Sequence, residues 1–169
     1  MTPEALARWE ALAREPTPWP GRLAALARHI PPGSSVLDIG AGSRDLALLL
    51  PPECRYQALD CVAGPTPGGL VVDLETCEGF PAGLTLCGYD VAVMAGVLEH
   101  LVDPIAALSM VFSWAHRVLF TYEPAAGSGV YAGGHKRLQE PQLFEQAEEE
   151  VLRRPTLVGF WCSHGIYLL

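Results

Sequence analysis

The residues best suited to chemistry surround a glycine turn. The turn consists of Asp38, Ile39, Gly40, Ala41 and Gly42. Glycines permit a tight bend and a close approach of the backbone to a ligand, and the helix-like segment that follows from Asp45 presents free N–H groups. A second apolar run, residues 56–59, ends in Asp60, where nucleotide-binding folds place the carboxylate that binds a ribose diol. The spacing therefore predicts a crevice for a nucleotide-like ligand.

Strand-like and helix-like segments alternate along the chain and indicate how this turn is positioned. The helix-like segments are residues 3–14, 21–30, 46–50, 104–114 with Asp103 as a cap, and 141–152. Strand-like runs include residues 36–39, 56–59, 117–122, 157–162 and 165–169, the last two as a hairpin. This alternation predicts an α/β fold in which one antiparallel strand joins a mostly parallel sheet.

Composition narrows the class of protein. A chain of 169 residues suits one domain with a real core. The net charge of −8 makes nucleic acid an unlikely partner, because a phosphate backbone attracts basic surfaces. Residues 1–14 do not resemble a signal peptide, and no apolar stretch approaches the roughly 20 residues of a membrane span, so we expect a soluble, cytoplasmic protein. Five cysteines without a C-x-x-C pair indicate neither a disulfide framework nor a metal site.

The turn and the acid at the end of the second strand resemble those of class I S-adenosylmethionine (SAM) dependent methyltransferases. The likeness continues through residues 71–75 and 89–94, and residues 96–104 are similar to the small-molecule methyltransferases of the ubiquinone-biosynthesis subgroup (type 11). It covers residues 35–122 well. The resemblance implies a Rossmann-like three-layer sandwich with a seven-stranded or reduced sheet in the order 3-2-1-4-5-7-6, SAM as the cofactor, and a small-molecule methyl acceptor.

Within this resemblance, the domain divides into N-terminal helices (1–32), a cofactor-binding core (33–122) and a lid loop, helix and hairpin (123–169). The residues that it implies for the cofactor are Asp38, Gly40, Ala41, Gly42, Arg44, Asp60, Asp73, Leu74 and Met94. Gly40 to Gly42 are expected near the amino-acid part, Asp60 at the ribose and Asp73 near the adenine. Asp38 and Asp73 could instead have purely structural roles, in which their carboxylates bind the backbone of the neighbouring turns.

Two features depart from the family pattern. Arg44 stands where many members carry a third glycine, and it either narrows the crevice, pairs with the cofactor carboxylate, or points to solvent beside a surface acid. Residues 62–69 are too short and too rich in proline and glycine to form the usual crossover helix. The sheet face at Tyr56, Ala58 and Leu70 is therefore expected to lack cover, unless the N-terminal helices, a second copy or a partner subunit bury it.

Methyl transfer needs a base only when the acceptor must lose a proton, and His135 and His100 are then the first candidates. His135 ends a glycine-rich segment, residues 123–135, that is expected to close over the acceptor. Each histidine also has a non-catalytic alternative: His100 is a local partner at a helix end, and His135 is a surface residue.

Two other classes of protein stay open. One is a noncatalytic SAM-binding subunit or partner-dependent regulator, which the small size and the missing helix favour. The other is a dinucleotide-dependent oxidoreductase, whose fingerprint needs glycine or alanine where Asp45 stands.

Overall fold

A computed structural model of the chain describes residues 3–65, 67–76, 87–123, 138 and 140–169. Across these ranges, seven strands form one sheet in the order β3-β2-β1-β4-β5-β7-β6. The strands are β1 (Ser35–Ile39), β2 (Arg55–Asp60), β3 (Leu70–Val71), β4 (Tyr89–Met94), β5 (Ala115–Tyr122), β6 (Thr156–Trp161) and β7 (His164–Leu168). Strands β1 to β5 pair in parallel, and β7 pairs antiparallel with both β5 and β6. The predicted fold class and strand order are confirmed.

The described residues contain four α-helices. They are α1 (Pro3–Arg14), α2 (Pro20–Ala27), α3 (Pro104–Trp114) and α4 (Glu140–Val151). Helix α3 begins as predicted, because the Asp103 side chain accepts a hydrogen bond from the Ala106 N–H and Pro104 occupies the first turn. No helix in the described part of the chain is long and apolar enough to cross a membrane.

The crossover helix predicted at residues 46–50 is wrong. The segment forms a single 3-10 turn, Asp45–Leu48, preceded by Arg44 in the left-handed region with φ 67°. Helix nucleation is unfavourable and needs several further residues to become stable, but Pro51 and Pro52 stop the segment after one turn.

The core lies on both faces of the sheet because successive strand side chains point in opposite directions. One face, with Leu37 and Ile39 of β1, packs in a cluster that contains apolar residues of α3 and α4. On the other face Val36 and Val93 pack in a second cluster with Leu26 of α2. Asp38 alternates with the first set, so it belongs to the α2 side of the sheet.

The connection between β2 and β3 contains no helix in its described residues, 61–65 and 67–69, as predicted. The expected lack of cover holds only in part. Tyr56 is half-buried and Val71 is 48% exposed, whereas Ala58 is only 4% exposed. Leu70 does not belong to this face, because it packs against the cluster that contains α3 and α4. Burial of Ala58 has a simple origin, since the Arg44 guanidinium lies against the neighbouring Gly69, where an added Cβ would collide with it.

Candidate functional site

The turn after β1 has the backbone that its glycines predict. Gly40 and Gly42 have φ values of 68° and 50°, in the left-handed region that side chains disfavour. A Cβ at Gly40 would also lie 2.5 Å from Val97 Cγ2, in the segment after β4. The N–H groups of Gly40 and Ala41 both donate to the Leu59 carbonyl, which fixes the turn against the end of β2. Glycine at position 40 therefore serves both conformation and packing.

Asp60 lies directly beside this turn. One carboxylate oxygen accepts the Gly42 N–H at 2.8 Å, and the other accepts the Val62 N–H at 3.2 Å and lies 3.4 Å from the Cys61 thiol. Burial and the charge of Asp60 raise the pKa of Cys61 to about 12, so this thiol stays neutral at physiological pH. A carboxylate oriented by two backbone donors retains lone pairs for further donors such as hydroxyl groups.

A cavity of about 210 Å³ opens at this point. It brings together four of the predicted cofactor residues, Ala41, Gly42, Arg44 and Asp60. The rest of its lining comes from residues 58, 62–64 and 67–71, which belong to β2, β3 and their connection. The other predicted residues are not part of that lining; they are Asp38, Gly40, Asp73, Leu74 and Met94.

Asp38 lies behind the turn, not in the cavity wall. Its side chain is buried and accepts a 2.7 Å hydrogen bond from the Tyr56 hydroxyl. Burial raises the pKa of the Asp38 carboxyl to about 7, the charge of Asp60 adds to this rise, and the Tyr56 hydrogen bond opposes it. Asp38 therefore titrates close to neutral pH, and its direct contact with a ligand stays a prediction.

Arg44 crosses from the turn to the β2–β3 connection. Its guanidinium donates to the Pro67 carbonyl at 3.0 Å and forms one wall of the cavity. Among the described residues it makes no ion pair with an acid. The geometry therefore agrees with an Arg44 that narrows the crevice, and not with one that points to solvent beside a surface acid.

The residues after β3 and within β4 have structural contacts. The Asp73 carboxylate accepts the Glu75 N–H at 2.9 Å, and Glu75 in turn accepts the Val102 N–H at 2.8 Å, which ties this loop to the segment after β4. Leu74 is half-buried against the core, and Met94 is fully buried within it. Their approach to an adenine also stays a prediction.

The structure describes one of the two predicted bases. The His100 ring lies edge-on against the Trp9 ring of α1, with centroids 4.9 Å apart, and His100 remains exposed. The role of His100 as a base stays a prediction. His135 lies outside the described residues.

Sequence reasoning missed Arg22 of α2, which lies against the segment that follows β4. The Arg22 guanidinium lies 4.8 Å from the Trp19 ring and 5.8 Å from the Trp161 ring, and it packs against Gly96, where an added Cβ would collide with it. Burial lowers the pKa of Arg22, and the charge of Glu99 opposes this decrease. Its Nε atom is buried and has no hydrogen-bond partner among the described residues. Such a donor fits an anionic ligand group, because an unsatisfied buried donor is otherwise costly.

The acid that follows β4 lies on the same edge of the sheet. The Glu99 carboxylate, 3% exposed, accepts the Glu123 N–H at 3.1 Å, and its Oε1 lies 3.9 Å from Nε2 of His164. Ser163 donates to the Glu123 carboxylate at 2.5 Å. Local sequence signals point to Glu99 after a strand, but none pairs it with a histidine 65 positions further along the chain.

Comparison with known proteins agrees with this architecture. A family model described as a methyltransferase domain matches residues 9–148. Among solved structures, a Burkholderia thailandensis 1,6-didemethyltoxoflavin-N1-methyltransferase with bound S-adenosylhomocysteine is 19% identical, with a TM-score of 0.64 over 94% of this chain and 77% of the other. An Aquifex aeolicus SAM-dependent methyltransferase is 13% identical, with a TM-score of 0.65 over 99% and 97%.

A Haloferax volcanii protein described as a methyltransferase, in complex with the activator Trm112, is 16% identical, with a TM-score of 0.60 over 78% of this chain and 67% of the other. No curated protein shows significant sequence similarity to the chain.

Proposed function

Because the chain belongs to the methyltransferase domain family, whose model covers residues 9–148, we propose that it transfers the methyl group of SAM to a small-molecule acceptor. The observation that carries the proposal is the hydrogen bond from the Gly42 N–H to Asp60, which joins the glycine turn and the strand-end acid at one cavity. When bound, SAM supplies an electrophilic methyl group, and the protein's part is alignment of donor and acceptor. The ubiquinone-biosynthesis subgroup stays a prediction.

The described residues fit such a cofactor. Asp60 offers oriented carboxylate oxygens to the ribose hydroxyls, and the left-handed turn at Gly40 and Gly42 allows close backbone approach to the amino-acid part. The cavity of about 210 Å³ is smaller than the roughly 300–1,000 Å³ of typical small-molecule sites, so it suits one part of the ligand. The remaining part would lie along the sheet edge toward β4.

Along that edge, Arg22 suits the cofactor carboxylate better than Arg44 does. Arg22 packs against Gly96 at the end of β4 and has an unsatisfied buried donor among the described residues, whereas Arg44 donates to Pro67 on the β2–β3 side. A bidentate guanidinium–carboxylate contact would satisfy Arg22 and fix the orientation of the cofactor. Arg44 then forms the cavity wall instead of contacting the carboxylate.

Calorimetric titration with SAM, S-adenosylhomocysteine and NAD tests the proposal. We expect binding of the first two ligands and not of NAD. In Asp60→Ala, loss of charge-assisted hydrogen bonds worth roughly 1.5 to 3 kcal/mol should weaken SAM by about tenfold or more. Glu145→Gln, an exposed change on α4 that removes one negative charge, is the control. Unchanged affinity in a folded Asp60→Ala protein would exclude the assignment.

The choice between the two arginines needs a second ligand. 5′-Methylthioadenosine lacks the amino-acid part, so Arg22→Met should weaken SAM by about tenfold or more and leave this analogue nearly unaffected. Arg44→Gly is the matched comparison and should change both affinities to a similar extent. A selective loss of SAM in the Arg44 variant, with none in the Arg22 variant, would reverse the two roles.

A further inference from the structure

Two tryptophan rings pack against the guanidinium of Arg22 at the carboxyl edge of the sheet. Trp19 precedes α2, and Trp161 ends β6, which runs parallel to β5 because both strands pair antiparallel with β7. The guanidinium carbon lies 4.8 Å from the centroid of the Trp19 ring and 5.8 Å from that of the Trp161 ring. Both distances are within the roughly 6 Å over which the face of a ring attracts a cation.

Two glycines make room for these contacts. An added Cβ at Gly21 would lie 2.9 Å from Nε1 of Trp161, and one at Gly96 would collide with the Arg22 guanidinium. Gly96 has a φ of 69°, and its N–H donates to the Thr121 hydroxyl at 2.9 Å, which fixes the backbone beside the guanidinium to β5. The arginine is therefore held at the carboxyl end of β4.

The loop that carries Trp19 is tied to the end of the glycine turn. The Thr17 N–H donates to the Asp45 carboxylate at 2.6 Å, and the Ser43 hydroxyl donates to the same oxygen at 2.7 Å. The Trp19 N–H in turn donates to the Thr17 hydroxyl at 3.2 Å. The Trp19 ring is thus placed relative to the turn that we expect to bind the amino-acid part of the cofactor.

The rings hold the guanidinium without using its donors. A cation on the face of a ring needs no hydrogen bond to it, so the N–H groups stay available for a ligand. Nε of Arg22 is buried and has no hydrogen-bond partner among the described residues, and none of the acids there forms an ion pair with Arg22. The guanidinium is therefore oriented before a ligand binds, which lowers the entropic cost of a bidentate contact with a carboxylate.

We propose that Trp19 and Trp161 are positioning residues that hold Arg22 for the carboxylate of the cofactor. They thereby make the site selective for adenosyl ligands that carry an amino-acid carboxylate. This inference rests on the proposed function and on the place given there to Arg22. The rings contact the arginine and not the ligand, so their effect passes through Arg22 and disappears when Arg22 is replaced.

Trp19 is the position to substitute, because its side chain is 44% exposed and its loss leaves no cavity in the core. In Trp19→Leu, calorimetric titration should show SAM and S-adenosylhomocysteine weakened by about three- to tenfold and 5′-methylthioadenosine nearly unaffected. Trp19→Phe keeps a ring face and should retain most of the affinity. Phe112→Leu, which removes the ring 5.2 Å from the Arg153 guanidinium, is the matched control and should leave all three affinities unchanged.

A double substitution separates positioning from direct contact. In Arg22→Met, the further change Trp19→Leu should cause no additional loss of SAM or S-adenosylhomocysteine, because the group that the ring positions is gone. An additive loss would overturn the proposal. So would a loss of SAM alone, as from a ring on the sulfonium, an equal loss of all three ligands, or no loss at all. Failure of the proposed function is recognised separately, as absence of SAM binding by the wild type.

Discussion

At the scale of single residues, the chain places a titrating carboxylate directly behind its ligand-binding turn. Asp38 is buried, shares a hydrogen bond with Tyr56 and has a pKa of about 7, whereas an aspartate in an unfolded chain has a pKa of about 3.9. The folded protein therefore holds this proton more tightly than the unfolded chain. Its contribution to stability is complete below about pH 4 and is lost as the pH rises toward 7 and above.

We expect this loss to be measurable. Between pH 5 and pH 8 the free energy of unfolding of the wild type should fall by a few kcal/mol more than that of Asp38→Asn, whose amide does not titrate. Urea unfolding at the two pH values gives both numbers. In Tyr56→Phe the pKa of Asp38 should rise further, because the hydrogen bond that lowers it is gone. Equal pH dependence in the wild type and Asp38→Asn would contradict the assignment.

At the scale of elements, the start of α3 depends on one side chain. The Asp103 carboxylate accepts the Ala106 N–H at 2.9 Å, and Pro104 follows it. Asp103→Ala should destabilise the protein by about 1 kcal/mol, whereas Asp103→Ser, another good cap, should cost less. Denaturant unfolding of the three proteins checks the order. An alanine variant as stable as the serine variant would show that α3 is held by its core contacts alone.

The elements also show which local predictions succeed. Helices α3 and α4 and the terminal hairpin form close to their predicted bounds, because caps, periodicity and strand alternation are local signals. The segment at residues 46–50 has helix-forming residues but too few of them, so it stops after one 3-10 turn. The residue types there predict a helix, but the segment is too short to form one.

At the scale of the whole molecule, one part of the sheet is thinly covered. The α2 face over β2 and β3 has a 3-10 turn and an extended connection in the described residues, with Arg44 against Gly69 and Val71 48% exposed. Helix α2 makes its main contacts with β6 and the 3-10 turn, so it does little to cover β2 and β3.

We therefore expect self-association through this face at micromolar concentration, because exposed apolar area tends to be buried by a partner. Light scattering should give about twice the mass of one chain for the wild type and a lower mass for Leu48→Lys, at an 84% exposed position of the 3-10 turn that does not line the cavity. Phe160→Lys, at an exposed position on β6, is the control and should leave the mass unchanged. A wild-type monomer would rule out the self-association branch of the prediction.

The sequence by itself determined the α/β class, the strand order implied by its family resemblance, the glycine turn and the acid that lies beside it. These features are encoded in short segments: Gly40 and Gly42 have the left-handed backbone that their type permits, and Asp60 ends the strand next to them. The family match over residues 9–148 agrees with that local information.

Only the tertiary structure decided which distant side chains meet at the carboxyl edge of the sheet, beyond the end of β4. Arg22, Glu99 and His164 belong to α2, the segment after β4 and the start of β7. Their proximity depends on the packing of elements far apart in the chain, and a single sequence has no local pattern that records it. The same packing sends Arg44 toward Pro67, because the β2–β3 connection is short enough to bring that carbonyl within its reach.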